Sequence, residues 1–230
     1  MDKGTAHDLA VREGWLSQMP LDFRNAVLER ARLREFTANE AIHIAGDEPG
    51  GMYGLVAGTI RVVLAGNEHG PYAVHLFRPV TWFGEGPAII GQPRPVSLSA
   101  TRSVSLLYVS QRAIGEIAQL HPAFWKCFVI PLMGHLDTAL GAMADLMIRQ
   151  HDKRLAAVLL RLGGCRSAAD ARMGPVEVDA SQEDIAAMAN ISRTTAGSVM
   201  REWQSMGLIK IGYGRVAILA PAKLRTLFQK

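Results

Sequence analysis

Cysteine is almost missing from this chain: 230 residues hold two, Cys127 and Cys165, far apart. That number rules out a disulfide framework, and no metal-ligand spacing is present. Both read as free thiols, which fits a reducing cytoplasm. The N-terminus has no long apolar run, and no stretch is read as reaching the length of a transmembrane helix, so the chain is expected to be soluble, cytoplasmic and without a membrane partner. Enzyme signatures are absent as well: there is no nucleophile motif, phosphate loop or paired-acid arrangement. A metal-dependent barrel enzyme would need clustered histidines, and His43, His69 and His75 stand in no recognisable ligand spacing. A strong overall charge is also lacking, but the distribution is uneven. Residues 151–230 carry 12 Lys and Arg against 7 Asp and Glu, a net of +5; residues 1–150 carry 13 against 14, a net of −1. The basic excess lies in the C-terminal part, as phosphate binding requires.

What is present is concentrated in residues 181–204, SQEDIAAMANISRTTAGSVMREWQ. Ser181 is placed to cap a helix, with Asp184 three residues later as a capping box. Ile185, Met188 and Ala189 recur at helical spacing, and Ala186 is small enough for a close helix crossing. Asn190 tolerates the positive φ of a tight turn better than most residues, Ile191 plugs the corner and Ser192 caps a second helix. Along that helix Ala196, Val199 and Trp203 share one face. Arg193, Thr194, Gly197, Ser198 and Arg201 cluster on the other. This is the sequence form of a helix-turn-helix, which lays its second helix in the major groove of DNA; the competing reading is an amphipathic helical hairpin in an unrelated core. Gly207 closes the helix. Residues 208–211 and 216–219 read as a hairpin, making the domain a winged helix-turn-helix. Arg215 on the wing is either a phosphate contact or a solvated cation.

Residues 1–12 read as a loose tail and 16–33 as a helix. Short β-type runs at 41–45, 52–57, 59–64, 73–77, 96–100 and 103–109, separated by Gly-rich turns, predict a small antiparallel barrel or jelly roll, a shape that often holds one small ligand. Residues 122–150 read as one long helix. Its Phe128, Leu132, Leu136, Ala139, Met143 and Leu146 recur at spacings of four, four, three, four and three, close to a coiled-coil seam. Such a stripe packs either on its own barrel or against a second copy in a two-fold dimer. Pro131 kinks that helix or marks its start, and residues 150–154 (QHDKR) read as a hinge. The expected class is α+β: an N-terminal sensor domain (1–120), a dimerisation helix (121–150) and a C-terminal winged helix-turn-helix (151–230).

In that order the parts resemble the CRP/FNR family of bacterial transcription regulators, over nearly the whole chain. Three blocks carry the resemblance: GDEPGGMYGLVAGTIRVV, WFGEGPAIIGQPR and SRTTAGSVMREW. It implies a homodimer on a pseudo-palindromic double-stranded DNA site, with an effector in the barrel shifting DNA affinity, and RNA polymerase as a further partner. In the DNA helix Ser192, Arg193 and Thr195 match the family pattern, whereas Thr194 replaces a Glu and Ser198 a second Arg. The resemblance assigns Arg193, Thr194, Gly197 and Ser198 to base contacts. It assigns Ser181, Gln182, Ser192, Thr195 and Arg201 to phosphates, with Arg215 added from the wing. In the ligand cassette of cyclic-AMP-binding members Gly84, Glu85 and Arg94 match. Pro95 replaces a serine, and Ala139 and Leu140 replace the Thr-Ser pair that holds adenine. Cyclic AMP is therefore expected to bind poorly, and Glu85 and Arg94 are alternatively a structural ion pair. Iron–sulfur members need four cysteines, so that cofactor is excluded. Haem needs an axial ligand, for which His43, His69, His75, His121, His135 and His151 qualify by residue type only, His135 on the long helix being the best placed. The effector is left unassigned. Loss of the Glu and Arg from the reading face leaves one alternative function, a ligand-sensing module that acts on a protein partner without binding DNA.

Overall fold

A computed structural model describes residues 1–66, 70–166 and 174–229; of the residues singled out above, His69 lies outside these. The expected loose tail is a helix, α1 (Lys3–Arg12). Asp2 caps it, its Oδ1 accepting from the Thr5 amide at 2.9 Å, and Ala6 and Ala10 are buried one turn apart. Two alanines in ten residues make a faint apolar stripe, too weak to register as periodicity. The helix expected over 16–33 is three elements instead: a 3₁₀ turn (Leu16–Gln18), helix α2 (Leu21–Arg30) and strand β1 (Arg32–Phe36). Pro20 sits at the N-cap of α2, where a missing amide hydrogen costs nothing.

Then follow β2 (Ala41–His43), β3 (Met52–Ala57), β4 (Ile60–Leu64), β5 (Tyr72–Phe77), β6 (Trp82–Phe83), the short helix α3 (Glu85–Ile90), β7 (Ser97–Ala100) and β8 (Val104–Val109). One four-stranded sheet runs β1-β8-β3-β6, and in a second β7 lies between β2 and β4. The sheets do not close on each other as a barrel would; the arrangement is jelly-roll-like. Gly54 of β3 is needed for close approach, since a Cβ there would sit 2.5 Å from the Trp82 ring.

Helix α4 (Gln111–Leu120) precedes the long α5 (Phe124–Leu146). Pro131 lies inside α5, so the carbonyl four residues back, on Cys127, lacks its helical donor. The Trp15 indole fills the gap, donating to the Cys127 oxygen at 2.8 Å. Phe128, read on the same stripe as Leu132 and Leu136, is buried within its own subunit, 4.9 Å from the Phe23 ring centroid and 6.4 Å from that of Trp15, because it faces the aromatic cluster under α5. Leu132, Leu136, Met143 and Leu146 are exposed, with Trp125, Val129, Leu140 and Met147 extending the apolar surface. By length and composition α5 is apolar enough to cross a membrane, contrary to the sequence reading. No single apolar run signals this, because Lys126, Asp137 and Asp145 interrupt it.

The C-terminal part comprises α6 (His151–Gly163), β9 (Val176–Val178), α7 (Gln182–Met188), α8 (Arg193–Ser205), β10 (Ile209–Gly212), β11 (Arg215–Ile218) and α9 (Pro221–Gln229). The wing is a three-stranded antiparallel sheet, β10-β11-β9, rather than a bare hairpin. By internal contacts the chain divides into Met1–Pro71 with Phe77–Asp137, and Tyr72–Leu76 with Thr138–Lys230. Each has its own core. Phe23, Trp82, Leu107 and Phe128 centre the first; Leu155, Leu159, Met200, Trp203 and Val216 centre the second.

Candidate nucleic-acid interface

The helix-turn-helix is built from side-chain caps. Ser181 Oγ accepts from the Asp184 amide at 3.0 Å, while Asp184 Oδ2 accepts from the Ser181 amide at 3.3 Å and from its hydroxyl at 2.7 Å. Ile185, Ala186, Met188 and Ala189 are buried. Asn190 holds φ 49° at the turn, a left-handed conformation. Ser192 then caps α8, its Oγ accepting from the Thr195 amide at 3.1 Å and lying 2.8 Å from the Thr195 hydroxyl. Ala196, Val199, Met200 and Trp203 are buried against the core, which fixes the opposite face of α8 outward.

On that face Arg193, Thr194, Ser198 and Arg201 are exposed. Arg193 is 3.9 Å from Glu183, and both side chains are 76% exposed, so the pair is solvated and leaves the guanidinium free to move. Gly197, expected as a base contact, is buried instead. A Cβ there would meet Arg201 Nη1 at 3.3 Å and Gln182 Oε1 at 3.4 Å, so these two side chains close over it. Gly197 thus lies beneath two polar groups that share the exposed face of α8. Ser181, Gln182 and Thr195 are half-buried beside it. Arg215 on β11 lies 3.3 Å from Glu177 of β9, an ion pair between neighbouring strands that is open to water. Sequence inspection missed Gln204: its Oε1 accepts from the Ile211 amide at 2.7 Å and fastens α8 to the wing. No periodic pattern points to a single side-chain amide of this kind.

The ligand cassette forms a separate cluster. Gly84 adopts φ 91° and starts α3. Arg94 is 3% exposed, its Nη2 donating to the Gly51 carbonyl at 2.7 Å and its Nη1 to the Gly84 carbonyl at 3.3 Å. Burial holds its pKa below the ordinary arginine value, partly offset by Tyr53, Tyr108, Glu85 and Asp47. Glu85, also 3% exposed, does not pair with Arg94, the alternative drawn from the sequence. Its Oε1 lies 2.9 Å from Nδ1 of His135 on α5, and its Oε2 has no hydrogen-bond partner among the described residues. The His135 ring stacks on Phe77 at 5.3 Å, Phe77 on Phe83 at 5.3 Å, and Phe83 on Tyr53 at 5.4 Å. His43, further along, is pushed down to about 4 by burial, with Arg94 adding to the shift. Ala139 and Leu140 are exposed, on the part of α5 that groups with the other unit. The residues present fit a cyclic phosphate poorly: Pro95 offers no amide hydrogen, two Arg94 donors serve backbone carbonyls, and Glu85 is engaged by His135. Among the described residues no group of three His, Cys, Asp or Glu is arranged to hold a metal.

Comparison with known proteins matches residues 153–227 to the Crp-like helix-turn-helix domain and residues 33–121 to the cyclic nucleotide-binding domain. The HTH-type transcriptional regulator Cmr of Mycobacterium tuberculosis is 22% identical over 219 residues, 95% of this chain and 85% of that protein. The transcriptional regulator SdrP of Thermus thermophilus is 27% identical over 175 residues, 76% of this chain and 82% of that one. In structure, FixK2 of Bradyrhizobium japonicum superposes with a TM-score of 0.72 at 18% identity, over 86% of this chain and 96% of its own, a likeness of fold.

Proposed function

This chain belongs to the CRP/FNR family of DNA-binding transcription regulators, and from that premise we propose that two copies join along α5 and grip a pseudo-palindromic DNA site. The carrying observation is the outward polar face of α8, fixed by the burial of Ala196, Val199, Met200 and Trp203. A helix presenting Arg193 at its start fits the major groove, where a guanidinium donates a bidentate pair to guanine. Thr194 and Ser198 read neighbouring positions with shorter hydroxyls, so the operator differs from one read by a glutamate and a second arginine. Gln182 and Arg201, converging over Gly197, together with Ser181, Ser192 and Thr195 at the two capped helix starts, take the phosphates. Arg215 adds one from the wing, in exchange for its exposed pair with Glu177.

The apolar surface of α5 supports pairing. Leu132, Leu136, Leu140, Met143 and Met147 lie uncovered at spacings of four, four, three and four, which suits a second α5 across a two-fold axis. Recognition helices set about 34 Å apart then meet successive major grooves. The protein binds rather than catalyses, works in the cytoplasm where the DNA lies, and passes its effect to RNA polymerase. Cyclic AMP is a poor fit as its effector, since the cassette's Arg94 and Glu85 are already engaged by the protein itself.

A gel shift with a pool of genomic fragments tests this reading. A site-selective complex that weakens steeply with salt is expected; no such complex at any protein concentration refutes it.

A further inference from the structure

Arg154 lies in the segment that the sequence suggested as a hinge. Each of its three guanidinium nitrogens donates to a backbone carbonyl. Nη1 donates to the Ile148 carbonyl at 2.6 Å, Nε to that of Ala189 at 2.5 Å and Nη2 to that of Asn190 at 3.3 Å. Ile148 is where the chain leaves α5; Ala189 and Asn190 form the tight turn that launches α8. Carbonyls at a helix end have no intrahelical donor, so the arginine fork supplies one that water would otherwise provide. One planar cation thus ties the end of the long helix to the start of the recognition element.

A second set of contacts acts between α5 and α6. Asp145 of α5 is fully buried and pairs with Arg161 of α6 at 2.8 Å and with Arg166. Arg166 also donates to the Gly141 carbonyl of α5 at 3.1 Å, and Arg161 Nη1 lies 3.0 Å from His75 Nδ1. A buried carboxylate flanked by two guanidiniums is costly to separate. The connection over 150–154 is therefore held on both sides by arginine contacts.

We propose that Arg154 is a positioning residue for DNA recognition: by locking the turn before α8 to the end of α5, it sets which spacing of half-sites the dimer accepts. This rests on the DNA-binding dimer proposed above. Arg154→Lys keeps the charge and removes the three-way fork.

The experiment compares wild type and Arg154→Lys on duplexes selected from a random pool with wild-type protein. Binding is measured to a single half-site, to the full site, and to full sites with one or two base pairs added or removed at the centre. The variant is expected to bind the half-site as wild type does. On the selected full site it is expected to lose about tenfold, equivalent to about 1.4 kcal/mol, with its preference among spacings flattened. Melting curves and sedimentation, run alongside, are expected to show a folded dimer. Unchanged affinity with the same spacing optimum overturns the proposal. So does an equal loss on half-site and full site, from misfolding or otherwise, which would make Arg154 a merely structural residue; Arg154→Gln repeats the comparison with the charge removed. If wild type itself yields no site-selective complex, the DNA-binding reading falls, and this inference with it.

Discussion

Trp15 and Pro131 are expected to be energetically coupled, through the carbonyl of Cys127. The proline removes the amide that would serve this oxygen in an ordinary helix, and the Trp15 indole donates to it at 2.8 Å in its place. Replacing Trp15 by Phe keeps an aromatic ring against Phe23, Trp82 and Phe128, at 5.6, 5.2 and 6.4 Å, but deletes the donor. An orphaned buried carbonyl costs roughly 1–3 kcal/mol, and the smaller ring forfeits about 1 kcal/mol more for the ~40 Å² of apolar contact it gives up. In a Pro131→Ala background the new alanine amide reaches the same oxygen, so only the ring term remains. The double-mutant cycle, measured by urea unfolding with circular dichroism, should therefore give a coupling of roughly 1–3 kcal/mol. Additivity to within about 0.3 kcal/mol would refute the reasoning. The single Pro131→Ala change should by itself raise stability, an interior proline costing up to about 3 kcal/mol.

Gly197→Ala should raise the melting temperature by a few degrees, since alanine is favoured over glycine within a helix by about 1 kcal/mol, and should weaken DNA binding several-fold by displacing Gln182 and Arg201. Thermal melting without DNA and fluorescence anisotropy with it separate the two effects; a lower melting temperature would show that the glycine is needed for packing. Arg193→Ala should relax specificity at one base pair per half-site, by roughly 1–3 kcal/mol, read as a flattened preference in a selection experiment. Cyclic AMP at micromolar concentration should leave the melting temperature unmoved; a clear rise would show that Arg94 turns outward to meet a phosphate. His43 is neutral in the fold down to about pH 4, whereas the unfolded chain takes up that proton near pH 6.5. Its contribution to stability is therefore present above 6.5 and is lost as pH falls towards 4. His43→Gln should flatten that part of the urea-midpoint profile; an unchanged slope would refute the assignment.

The helix-turn-helix was legible because each of its signals is local: Ser181 with Asp184, Asn190 at the turn and Ser192 over Thr195 act within three or four residues of each other. Six of the strands before α4 were legible for the same reason, as short β-type runs punctuated by turn residues. Helix α1 was not, because two buried alanines carry almost no periodic signal, and neither was β1, whose RLREF reads as a helical continuation. Phe128 fell on the expected seam because a helix can have two apolar faces, and spacing alone does not say which one the rest of the fold covers. At the site, the types of Glu85 and Arg94 were legible and their partners were not. His135 reaches Glu85 across 50 residues of sequence, and Arg154 reaches Ala189 across 35; such pairings are decided by tertiary geometry.

The amide of Gln204 gives α8 and the β-wing a common mount. On the proposed mode of DNA binding, a tilt of α8 would carry the hairpin along, so its groove contact would not be re-aimed while the flanking backbone contact stayed put. Drift towards a new operator would then have to proceed by exchanging side chains at the tips, with the frame that bears them left untouched.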